Sequence, residues 1–159
     1  MDNSSIHSVL ILLHAATATI AFFAGILLIV WQAYPTNQAV FRIYLWTLIG
    51  MTILLAGAIL VFWDEYTDVE RIVFPALLGL SLFMVIRGWG AGLVLATRQG
   101  SWELGYIEHI GFTLISLFEG FIIVSGLNAG FPWWLVTLIA VLGLLVGRWS
   151  IARMKRRLV

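Results

Sequence analysis

Apolar residues dominate this chain in five long runs, at roughly 8–31, 41–63, 72–97, 107–127 and 132–152. Each is long enough to cross a hydrocarbon core, which needs about 20 helical residues. The breaks between them carry turn chemistry: "QAYPTNQAV", "DEYTDVE", "RQGSWELGY" and "LNAGFP". Pro75 and Pro132 fall in the predicted first turns of helices three and five, where a missing N–H costs nothing. Pro35 falls in a loop. The pattern predicts an all-α integral membrane protein, a bundle of five transmembrane helices. It predicts a single domain over residues 1–159, with no soluble module, no long linker and no clear internal repeat.

Composition agrees. The chain is 62% hydrophobic and 11% charged, with mean hydropathy +1.02. A soluble domain is close to half apolar and about a quarter charged, and a small globule cannot hide this much apolar surface. The formal net charge is only +1, which leaves no electrostatic footprint for nucleic acid. There is no cysteine. That excludes disulfides, thiolate metal sites, iron–sulfur clusters and covalently attached haem. "MDNSSIHSVL" has no basic region, and the apolar run behind it is too long for a signal peptide, so it reads as a retained first helix.

Charge placement predicts orientation. The tail "GRWSIARMKRRLV" holds five of the nine basic residues, and Arg42 and Arg98 flank the loops on its side. The other side has Asp2, Asp64, Glu65, Asp68 and Glu70 against Arg71 alone. The N-terminus is therefore expected outside and the C-terminus in the cytoplasm, with the chain in a prokaryotic inner membrane. Trp31, Trp63, Trp102, Trp133, Trp134 and Trp149 fall near helix ends as an aromatic belt. Trp46 and Trp89 lie deeper and are expected to pack inside.

The chemistry lies in the ionisable residues at membrane depth. Burying charge there is costly, so such a residue usually has a partner or faces water. His14, Arg87 and Glu119 qualify. Arg87 lies ten residues, or about 15 Å, from the predicted end of helix three; Glu119 lies 12 residues, or about 18 Å, from the predicted start of helix four. A short loop makes these helices antiparallel neighbours, so Arg87 is expected to pair with Glu119. The simpler alternative is an Arg87 side chain that snorkels to the interface. His14 shares the depth of Glu119, and His7 lies one heptad earlier on the same face. His7, His14, Glu119 and Arg87 could thus line a polar path from the outer surface. The bland alternative is a set of satisfied polar groups that fix helix register.

A bis-histidine membrane haem would need two axial histidines at one level. His14 and His109 differ in depth by about 20 Å, which disfavours bis-histidine haem and any metal site joining them. A five-coordinate or dimer-shared haem stays open. Glu103, Glu108 and His109 read as solvated interface residues before they read as a metal patch. No catalytic triad, P-loop or nucleotide fingerprint appears; "GWGAG" is a glycine stripe inside a span. Small residues at four-residue spacing mark close helix contacts, within the chain or in a homo-oligomer or larger membrane complex: Thr17, Ala21 and Gly25; Gly88 and Gly92; Ser116 and Gly120; Gly143 and Gly147.

The segments "LHAATATIAFFAGILLI" and "LSLFMVIRGWGAGL" resemble a loose family of small, uncharacterised prokaryotic multi-pass membrane proteins. His14, Gly25, Gly88 and Trp89 match that pattern. Two positions depart from it: "AVFRIY" keeps only Arg42 where the family has His-Arg, and the expected basic residue after the aromatic is Gly90. The resemblance implies a membrane bundle and no activity. The expected function is non-enzymatic: an accessory or assembly component, or a small-ligand or proton-handling bundle around the buried polar cluster. The alternative is a redox protein that binds haem or quinone.

Overall fold

A computed structural model of the chain describes residues 3–30 and 38–156, except the side chains of Asn3, Leu127 and Trp133. It is all-helical: α1 (Asn3–Val30), α2 (Gln38–Val61), α3 (Glu70–Thr97), α4 (Trp102–Asn128) and α5 (Trp133–Lys155), with one 3-10 turn at Trp63–Glu65. All five helices are long and apolar enough to cross a membrane. Asp2, Trp31, Pro35 and Arg157 lie outside the described residues.

Helices α1 to α4 start earlier than hydropathy predicts, because polar first turns are still helical, whereas α5 starts at Trp133, one residue later. A capping box opens α3. The Thr67 N–H and Oγ1 donate to Glu70 Oε2 at 2.8 and 2.7 Å, and the Glu70 N–H reaches back to Thr67 Oγ1 at 3.4 Å; each satisfies an orphan group of the helix start. Pro75 therefore sits inside α3, six residues in, rather than in its first turn. Pro132 is the N-cap of α5, with φ −62°. The start of α4 moves by five residues, from 107 to Trp102, helped by Glu103 in its first turn.

Polarity is arranged inside out. Thr52, Ser81, Thr113, Ser116 and Glu119 are buried with Ala21, Ala58 and Ala91, while many Leu, Ile and Phe side chains are exposed. Trp46 and Trp89 are 69% and 59% exposed, contrary to the expectation that they pack inside. Lipid is as apolar as a core, so nothing drives a large apolar ring inward. The interior mixes small residues, which let helices approach, with large ones such as Tyr44, Leu48, Met51, Tyr106 and Ile110. Buried hydroxyls bond within their own helix, as in Thr52 to the Leu48 carbonyl at 2.9 Å, which satisfies them without water.

The chain divides into two compact units, Met1–Ile86 and Arg87–Val159. In the first, α1 and α2 form an antiparallel pair. His7 Nδ1–H donates to the Ala58 carbonyl at 3.1 Å, and His14 Nδ1–H to the Met51 carbonyl at 2.8 Å. A carbonyl only accepts, so the ring nitrogen must carry the proton in both. Seven residues up α1 match seven down α2: the two histidines pin one register. Near the end of α2, Tyr66 is buried with Leu55 and Ile59 against Phe62, Phe74 and Leu78. Burial first, and the Glu70 carboxylate second, push the Tyr66 hydroxyl above its ordinary pKa.

Candidate functional site

The second unit is built on the antiparallel pair α4 and α5. Gly130, at φ +77°, makes the turn between them, in a region that glycine enters without steric cost. One register then holds over the whole seam. Gly126 faces Val136, Glu119 faces Gly143, Ile115 faces Gly147, and Gly111 faces Ile151. Steps of seven, four and four along α4 are matched by equal steps along α5. In each pair a glycine on one helix receives a side chain from the other. A methyl group on Gly147 would stand 2.5 Å from Ile115, one on Gly111 2.6 Å from Ile151, and one on Gly126 2.9 Å from Val136.

Three of these four inserted side chains are branched aliphatics. The fourth is Glu119. Its Oε1 lies where a Gly143 side chain would be. Glu119 is 8% exposed, and neither carboxyl oxygen has a hydrogen-bond partner among the described residues. An unpaired carboxylate at membrane depth costs several kcal/mol.

Arg87 has a different carboxylate from the one expected. Its Nη2 lies 3.8 Å from Glu108 Oε1 and donates to the Glu108 backbone carbonyl at 3.3 Å. Its guanidinium lies 5.4 Å from the Phe112 ring centroid. Lys155 Nζ donates to Glu108 Oε2 at 2.5 Å. The pairing follows from the earlier start of α4. Arg87 meets Phe112, Gly90 meets His109, and Val94 meets Gly105, so steps of three and four along α3 match three and four back along α4. Glu119 is seven residues past Phe112, about 10 Å further along the helix. Glu108 is within reach and Glu119 is not.

The candidate cluster divides between the units, with His7 and His14 in the first and Arg87 and Glu119 in the second. His109, read from sequence as an interface residue, has its imidazole against Gly90, where a methyl group would stand 2.7 Å from Cε1. Its Nδ1 is buried without a hydrogen-bond partner among the described residues. Glu108 and Lys155 were missed as partners of α3 and α4. So was the seat of Glu119 on Gly143, although the spacing of Gly111, Ile115 and Glu119 opposite Gly143, Gly147 and Ile151 carries the signal. Among the described residues, no three His, Asp or Glu side chains converge as metal ligands would. No family model matches the chain, and no curated protein or solved structure matches it either.

Proposed function

We propose that this chain is a non-enzymatic multi-pass membrane protein that binds and releases a proton at Glu119. One observation carries the reading. A carboxyl group without a hydrogen-bond partner among the described residues occupies a position that the rest of the α4–α5 seam fills with isoleucine or valine. Packing alone would favour an aliphatic side chain there, since burying an unpaired polar group costs free energy that a methyl group does not. A carboxylate in that seat has no compensating donor among the described residues, so a bound proton is the simplest way to meet its charge. The carboxyl abuts the Gly143 backbone, and a proton neutralises it without further ligands. Arg87 does not neutralise Glu119, because Glu108 already engages it. The network of Arg87, Glu108 and Lys155 instead ties α3, α4 and α5 together around one carboxylate.

Infrared difference spectroscopy on the purified protein in lipid nanodiscs tests this. Over a pH series, the wild type should convert a carboxylic-acid C=O band to carboxylate bands that Glu119→Gln lacks. Identical pH-dependent spectra from the two proteins would overturn the proposal.

A further inference from the structure

We infer that the proton reaches Glu119 from the end of the second unit that carries the 98–101 turn and Lys155, along a polar stripe of α4 formed by His109, Thr113 and Ser116. This rests on the proposed proton site at Glu119 and adds its route and sidedness.

The stripe is a matter of helical spacing. Steps of four, three and three residues from His109 reach Thr113, Ser116 and Glu119, which keeps all four on one side of the helix. The rises between them are about 6, 4.5 and 4.5 Å, distances that one water or a hydroxyl rotation bridges. These groups are internal: Thr113 is 0% exposed and Ser116 7%. A hydroxyl both donates and accepts, so it can hand a proton on; the Thr113 hydroxyl donates to the Ile110 carbonyl at 2.8 Å in this structure. His109 stands at the head of the stripe, its buried Nδ1 lacking a hydrogen-bond partner among the described residues. The seam with α5 offers no parallel route, because Ile115 and Ile151 fill it against Gly147 and Gly111.

Beyond Glu119 the helix changes character. The stripe continues into Ile123. Val136 closes on Gly126, with Phe131 3.8 Å from where a Gly126 methyl group would be. Residues 120–147 contain no titratable side chain. Every other acidic or basic side chain of the unit lies toward the opposite end: Arg87 on α3, Glu103, Glu108 and His109 on α4, Arg148 and Lys155 on α5, and their neighbours. Glu119 is nearer to the 129–132 turn in distance, about 10 Å from Gly126. The shorter way is lined by apolar groups and the longer way by polar ones. A proton needs hydrogen-bonding groups more than it needs a short path.

The chain has no natural cysteine, so single cysteines report accessibility without a background. In proteoliposomes of known orientation, Thr113→Cys and Ser116→Cys should react with a small membrane-impermeant methanethiosulfonate added on the Lys155 side. Ile123→Cys should not react from either side. Deuterium exchange at the Glu119 carboxyl, followed by its infrared band, should slow about tenfold in the Thr113→Val, Ser116→Ala double variant, the equivalent of one lost hydrogen bond in the transfer. The pH midpoint should stay unchanged, which a structural defect around Glu119 would not allow. Exchange at the wild-type rate in that variant overturns the route and leaves the proton site standing. So does an inert Ser116→Cys combined with a reactive Ile123→Cys. Loss of the Glu119 band from the wild type removes the proton site itself.

Discussion

A single glutamate side chain sets the problem at the residue scale. Glu119 occupies the place of an aliphatic knob, and Gly143 exists opposite it because nothing larger fits. Glycine substitutions should therefore divide by what they face. Gly147→Ala must displace Ile115 and Gly111→Ala must displace Ile151, so each should destabilise by about 1–3 kcal/mol, the usual cost of overpacking. Gly120, one residue from Glu119, has nothing within 4 Å of an added methyl group; Gly120→Ala should be neutral or stabilising by up to about 1 kcal/mol through helix propensity. Gly143→Ala should shift the pH at which Glu119 titrates, because the methyl group and the carboxyl compete for one place. Glu119→Leu should raise thermal stability while abolishing the proposed proton binding. A Glu119→Leu protein less stable than wild type in detergent melts would show that the carboxyl is a structural asset. Glu119 was legible in sequence as an ionisable residue at depth. Its environment was not, because the helix start was placed at 107 and the resulting depth error of five residues turned a mismatch with Arg87 into a match.

Helices, at the next scale, are recovered more completely than their ends. Hydropathy marks where a helix becomes apolar, whereas the hydrogen-bond ladder starts earlier, at the Thr67–Glu70 capping box or the polar turn after Trp102. Register was not legible, since it is set by contacts between helices. In the α1–α2 pair it is set by two histidines donating to carbonyls one heptad apart. The Ala58 carbonyl also accepts the Phe62 N–H at 3.3 Å, so the His7 bond is shared rather than sole. Comparable interhelical hydrogen bonds in membranes contribute about 0.6 kcal/mol on average and at most about 1.7. His14→Phe keeps the bulk and removes the donor, so it should lower the stability of the purified protein by that modest amount. Its other ring nitrogen is not engaged by the Met51 carbonyl, and a role in handling protons would depend on it. If His14→Phe unfolds the protein outright, the histidine is doing more than closing one interhelical hydrogen bond. If it folds but changes the infrared titration of Glu119, the first unit takes part in the proton reaction.

For the whole molecule, the same inversion that hides the polar groups also explains what the sequence showed best. Class is carried by composition, and five apolar runs leave few alternatives to five spanning helices. The proposed function rests on a handful of polar side chains, and their grouping depends on register, which composition does not encode. Orientation lies between the two. In a five-span chain the acidic connection after α2 and the basic end of α5 are expected on opposite faces, and within the second unit Lys155 reaches Glu108. Basic residues near span ends are retained on the cytoplasmic side. A reporter fused to the C-terminus should therefore be active in the cytoplasm, and one fused to the N-terminus outside. In that expected orientation the proposed stripe opens, together with Lys155, toward the cytoplasm. The proton at Glu119 would then equilibrate with cytoplasmic pH and be insulated from the outside by the packing of Val136 on Gly126. In sealed vesicles of known orientation, the Glu119 infrared band should follow a pH jump applied on the C-terminal side and lag one applied on the other. Reporters that place both termini on one side would remove a span and reverse the sense of the route. Reporters as expected, combined with a band that follows only the outer pH, would keep the topology and reject the cytoplasmic access.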